Sequence, residues 1–255
     1  MTSTMASVGE MLFQNSKALK QVIIIVVFLL IGSAIRSQNV YLVSVGISDY
    51  PGTGNDLVLP VSDAKAMVEL YQKNNAATTK LLLNRDATKR GILDAMSSLY
   101  KKAKADDIIV FFFSGHGYPG GFVTYDEMLC FEDLRQAFSS VRAKHKMIFA
   151  DACFSGTMRA TNRASSQVKS DFDVLLFLSS RHDENSMEVP GMKNGFFTSC
   201  LVRCLKGGAD YNKDRSITAK ELYKGVREGV IALSQGKQHP VMWGNFDDDM
   251  VILKW

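Results

Sequence analysis

Ile108-Ile109-Val110-Phe111-Phe112-Phe113 runs into Ser114-Gly115-His116-Gly117, and Met147-Ile148-Phe149-Ala150 runs into Asp151-Ala152-Cys153-Phe154-Ser155-Gly156. Both runs are apolar at every position, the pattern of strands buried on both faces of a parallel sheet covered by helices. In such sheets ligands bind beyond the carboxyl ends of the strands. A thiol and an imidazole 37 positions apart in sequence therefore reach one crevice when the two strands are neighbours. Gly115 and Gly117 around the histidine let a substrate backbone come close, and Gly156 frees the chain just past the cysteine.

Outward from these two strands, apolar runs alternate with helical patterns. Strands are predicted at 40–47, 79–83, 174–179 and 250–253, and helices at 62–74, 88–103, 131–142, 195–206 and 218–234. That alternation predicts a three-layer α/β/α sandwich with a mainly parallel sheet of six strands. The chain has 255 residues, 46% hydrophobic and 22% charged. Those values fit one globular enzyme domain, at residues 38–255, with a sizeable core. No internal repeat or low-complexity segment interrupts it.

The chemistry follows from the pair at the strand ends. A thiolate is the nucleophile, yet free cysteine has a pKa of ~8.5 and is only a few per cent ionised near neutrality. A histidine beside it shares the proton or protonates the leaving amine. Cys153 is thus the candidate nucleophile and His116 the candidate base, with the backbone N–H groups of Gly117 and Cys153 as donors to the developing oxyanion.

His-Gly after one apolar strand and Asp-Xaa-Cys-Xaa-Ser-Gly after the next resemble the caspase and metacaspase family of cysteine peptidases, in its metacaspase and bacterial branch. The similarity covers about residues 40 to 253. It implies the caspase-like strand order, the same roles for Cys153 and His116, and no need for a third triad member. Caspases carry Gln-Ala-Cys at the nucleophile, whereas Asp151 here matches the metacaspase specificity aspartate. Asp63 similarly matches a second pocket aspartate and Ser114 a pocket-lining serine. Pro60 stands where metacaspases often have a cysteine. Two carboxylates in a partly desolvated slot favour a guanidinium or ammonium, so the expected substrates are proteins and peptides with Arg or Lys before the scissile bond. Without the resemblance, Asp63 could equally serve the first turn of a helix, and Asp151 could orient backbone amides.

Residues 1–37 differ from the rest. Lys17 and Lys20 precede an apolar run over 22–31, followed by Gly32-Ser33-Ala34. The order basic, apolar, small is that of a secretory signal, so export is expected, to a periplasmic, secreted or membrane-anchored location. An uncleaved anchor attaching the protein to a membrane is the alternative. Without Lys17, Lys20, Arg36 and Glu10 the net charge falls from +4 to +2, and the basic residues are scattered, so no nucleic-acid partner is expected.

Of the four cysteines, Cys200 and Cys204 sit one helical turn apart and are expected to pack in the core rather than to form a disulfide or hold zinc. The polar stretch 154–172, with Arg159, Arg163 and Lys169, reads as a loop that the enzyme could cut in itself. The reaction requires no cofactor, and calcium is left open. Asp210, Asn212, Asp214 and Glu221 follow the spacing of a calcium loop, but Arg215 replaces its turn glycine and Ala160 stands where the family would have a calcium-binding aspartate. Thr218 and Glu221 also form a capping box. Three other readings are a catalytically silent binding or signalling module, a receiver-like phosphoacceptor at Asp151 beside Asp49, and a related peptidase of other specificity.

Overall fold

A computed structural model describes residues 38–52, 54–75, 77–118, 120–152, 174–180 and 191–254. Cys153, the loop 154–172 and the segment 1–37 lie outside the described residues. Gln38–Trp255 clusters as one compact unit.

The uninterrupted apolar runs become the centre of the sheet. β3 (Ile108–Ser114) is buried at all seven positions. It lies between β1 (Val40–Gly46) and β7 (His145–Asp151), parallel to both. β2 (Thr78–Leu83) extends the sheet beyond β1, and β8 (Leu175–Leu178) extends it beyond β7, again in parallel. β10 (Val241–Trp243) closes that second edge antiparallel to β8, giving the order β10-β8-β7-β3-β1-β2.

Strand side chains alternate between faces. Val43, Val45, Phe111, Phe113 and Ile148 pack on one side with α2 (Lys89–Tyr100) and α3 (Phe131–Ser139). Leu42, Val110, Phe112, Phe149 and Phe177 pack on the other with α1 (Pro60–Asn75), α4 (Phe196–Arg203) and α5 (Ala219–Leu233). This is the expected three-layer sandwich. Helix ends obey local chemistry. Thr88 caps α2 by accepting the Gly91 N–H, and Thr218 and Glu221 form the capping box that starts α5. Cys130 and Asp133 do the same for α3.

Two features depart from the expected pattern. The sixth strand is Val241–Trp243, not 250–253. β11 (Val251–Lys254) instead joins β9 (Ser216–Thr218) in a separate antiparallel pair. Three residues between Pro240 and Gly244 are too few to show a period, so β10 leaves no trace in the pattern. The second feature is a three-stranded meander, β4 (Gly117–Tyr118), β5 (Gly121–Val123) and β6 (Met128–Cys130), between the histidine and α3. The helix expected at 131–142 also stops at Ser139, where Ser140 caps it.

Candidate active site

The site begins with strand register. Gly46 pairs with Ser114, and Ser114 with Asp151, so three strands end level. α1 is pressed onto this edge. Ser44 Oγ donates to the Ala64 carbonyl at 2.9 Å, and a Cβ at Gly46 would run into the Pro60 carbonyl, so glycine alone permits the approach. The first turn of α1 therefore delivers Asp63, 2% exposed, to the end of β3.

The Asp63 carboxylate is bound by three residues from two chain segments. Its Oδ2 accepts from Ser114 Oγ at 2.9 Å, and its Oδ1 from Asn194 Nδ2 at 2.9 Å and the Gly195 N–H at 3.1 Å. Asp151 Oδ2 accepts from Thr198 Oγ1 at 2.8 Å and the Thr198 N–H at 3.1 Å. Asp151 thus sits at the amino end of α4, where unpaired N–H groups favour an anion. A Cβ placed on Gly195 would lie 2.6 Å from Asp151 Oδ2 and 3.5 Å from Asp63 Oδ2. Both carboxylates consequently converge on this one glycine. Burial first, and the Asp151 charge second, push the Asp63 carboxyl up to about 8, against the hydrogen bonds from Asn194, Ser114 and Gly195. Two buried carboxyl groups that disfavour each other's ionisation suit an entering cation.

His116 follows two residues after Ser114, and its setting is distinct. Nε2 lies 2.7 Å from the Asn55 carbonyl, an acceptor only, so Nε2 carries a hydrogen. The ring packs on Tyr50 with centroids 4.7 Å apart. Tyr50 Oη accepts the His116 N–H at 2.8 Å and donates to the Val123 carbonyl at 3.1 Å. A Cβ on Gly115 would approach that hydroxyl to 2.5 Å, so the glycine is required by contact. Gly117 opens β4, half-buried beside the histidine.

Ala152, the last described residue before Cys153, is fixed on both sides. Its N–H donates to Ser179 Oγ at 3.1 Å, and the same hydroxyl donates to its carbonyl at 3.1 Å. The chain leaves β7 from an anchored point. Of the expected residues, Asp63 and Ser114 are hydrogen-bonded to each other and Asp151 joins Asp63 at Gly195, while His116 and Gly117 follow Ser114 just past the strand end. Asn55, Tyr50, Asn194, Gly195 and Thr198 were not singled out from sequence. Only Thr198 had a local signal, a hydroxyl in the first turn of a helix.

Cys200 and Cys204 are free and buried, and burial raises both thiols, Cys204 to about 11. They pack against Gly229 and Gly225 of α5. In the loop before β9, Asp210 accepts the N–H groups of Asp214 and Arg215. Asn212 accepts the Asp214 N–H, and Asp214 holds Ser216. Glu221 turns its carboxylate to Thr218. Among the described residues no three His, Cys, Asp or Glu side chains cluster as metal ligands. No described helix is long and apolar enough to cross a membrane. Asp49 is exposed on the loop after β1.

A crystal structure of a Geobacter sulfurreducens protein superposes with a TM-score of 0.61 at 18% identity, over 85% of this chain and 97% of that one. Likeness at that identity concerns the fold. No curated protein matches the chain. The family model for the caspase domain matches residues 41–251, which span the sheet, the pocket and both strand ends described above. The chain therefore belongs to the caspase-domain family of peptidases, and its function is of the cysteine-peptidase type.

Proposed function

We propose that the protein is a cysteine endopeptidase that cleaves after Arg or Lys through Cys153 and His116. The observation that carries this reading is the buried pair Asp63 and Asp151 converging on Gly195 at the strand ends. A guanidinium there meets two carboxyl groups and the Ser114 hydroxyl, and its charge favours the ionised form of the Asp63 carboxyl, which burial first and the Asp151 charge second disfavour.

Register supports the dyad. Ser114, two residues before His116, pairs with Asp151, two residues before Cys153. Neighbouring strands lie about 4.8 Å apart, so the strand ends that precede Cys153 and His116 are adjacent. With Nε2–H held by Asn55, Nδ1 is the nitrogen available to take the thiol proton. The thiolate attacks the carbonyl and the C–N bond breaks. The imidazolium returns its proton to the departing nitrogen, and water then hydrolyses the thioester. The N–H groups of Gly117 and Cys153 stabilise the oxyanion, each worth about 3 kcal/mol. The scheme uses no cofactor.

Substrates are proteins and peptides, and the chain's own Arg159, Arg163 and Lys169 fall within the same specificity. Residues 1–37 direct export or membrane attachment, which N-terminal sequencing of the secreted or membrane-associated product tests. The deciding experiment compares the full chain with Cys153→Ala on fluorogenic amides ending in Arg, Lys, Asp or Asn, with and without calcium. Arg and Lys amides are turned over and the variant is silent. Preference for Asp, or turnover surviving in the variant, overturns the proposal.

A further inference from the structure

A groove of about 500 Å³ has His116 in its lining, and neither Asp63 nor Asp151 is part of it. It lies between the loop after β1, with Tyr50, Pro51 and Asn55, and the turn 124–128, and His116 stands in its wall. Tyr50 and Val123 belong to the core face shared with α2 and α3, whereas α1 and α4, which bear Asp63 and Thr198, cover the opposite face. The two recesses therefore straddle the end of β3.

The chemistry of amide cleavage tells the two recesses apart. The acyl half of the substrate stays on sulfur, and the amine half departs with a proton from the imidazolium. A general acid must face the nitrogen that leaves. The recess with His116 in its wall is thus where the chain carrying that nitrogen runs.

The groove is also built to hold shape. Thr124 Oγ1 donates to the Glu127 carbonyl at 2.6 Å and accepts its N–H at 3.1 Å, while Asp126 Oδ1 accepts the Lys89 N–H at 2.9 Å. Tyr50 ties the loop side to Val123. At the rim, Met128 is 59% exposed beside Glu127, which is also exposed. Among the described residues no lysine or arginine lines the groove, and the neighbouring Lys89 ammonium is engaged by Asp133 at 2.8 Å.

We infer that this groove binds the substrate residue just after the scissile bond and favours one with a long aliphatic stem and a cationic end. The stem lies on the adaptable Met128 thioether and the cation reaches the Glu127 carboxylate, so an acidic residue at that place is rejected. The inference rests on the peptidase reading with His116 as acid.

The test uses the full chain and internally quenched peptides that are identical through the Arg and carry Lys, Ala or Glu after it. The Lys peptide exceeds the Glu peptide in kcat/KM by at least about tenfold, with Ala between them. Glu127→Gln narrows that ratio and Glu127→Lys brings it to about one or below. Equal rates for the three peptides, or a ratio that both variants leave intact, overturn the inference. An arginyl aminocoumarin amide, which has no residue beyond the bond, separates the two levels. Its hydrolysis together with a flat Lys-to-Glu ratio removes the groove alone, whereas no turnover removes the peptidase reading and the groove with it.

Discussion

Asp63 holds a proton at pH values where an exposed aspartate has lost it. Its carboxyl is pushed to about 8 by burial and then by Asp151, from 3.8 in an unfolded chain. Between those values the folded protein binds a proton that the unfolded chain does not. The associated stability is full below 3.8 and is lost as the pH climbs through about 8. Calorimetry from about pH 4 to about pH 9 is expected to show Tm declining across that window, and Asp63→Asn to flatten the decline. An unchanged slope in the variant contradicts the assignment. A cationic substrate competes with the same proton, so KM for an arginyl amide falls over the upper part of the range. Gly195 gives a second residue-scale prediction. A methyl group there meets Asp151 Oδ2 at 2.6 Å, so Gly195→Ala lowers kcat/KM for arginyl amides by at least about tenfold and costs about 1 to 3 kcal/mol of stability through overpacking. Undiminished activity would exclude this glycine from the pocket floor.

At the scale of elements, the site depends on where strands end and what holds them there. Ser179 follows β8 directly, and its single hydroxyl both accepts from and donates to Ala152. Its own carbonyl is in turn held by Gln238 Nε2 at 2.9 Å. Ser179→Ala removes both hydroxyl bonds from a buried stretch of backbone, at a cost of about 1 to 3 kcal/mol. Urea denaturation measures that loss. Hydrolysis of the arginyl amide should fall as well, chiefly in kcat, since the loosened residue directly precedes Cys153, the proposed nucleophile, in sequence. A variant as stable and as active as the parent would show that Ser179 anchors nothing of consequence. α4 illustrates the same dependence. Its amino end supplies the Thr198 donors to Asp151, and Gly195 before it lies against both carboxylates, so one helix start organises the pocket wall.

Across the whole molecule, the two helical layers have separate tasks. α1 and α4 bring Asp63 and Thr198 to the carboxylate pair, α5 packs in the same layer, and the other face supports Tyr50 beside His116. Phe177 joins the first layer to the sheet. It is fully buried and meets Phe149, Phe197 and Tyr223 with ring centroids 6.5, 5.0 and 5.8 Å away. Phe177→Ala is expected to cost about 3 to 5 kcal/mol, seen as a lower urea midpoint. A loss below about 1 kcal/mol would mean that the layer packs without it.

The apolar runs at 108–113 and 147–150 were enough to announce a buried parallel sheet, because a strand covered on both faces has no polar alternation to hide it. His116 stood out because it follows such a strand directly, whereas the grouping of Ser114, Asp151 and Asp63 was expected from the family resemblance and not from local pattern. Other partners had no such context. Asn194 and Gly195 reach Asp63 across 131 and 132 positions, and Asn55 reaches His116 across 61. Sequence by itself determined the layered architecture and the chemical groups at the sheet edge, since both follow from hydrophobic periodicity and residue type. Only the tertiary structure decided that two carboxylates share one glycine, that a backbone carbonyl holds the histidine, and that β10 rather than β11 closes the sheet. Those are short contacts between segments distant in the chain, and such contacts are fixed by packing rather than by local pattern.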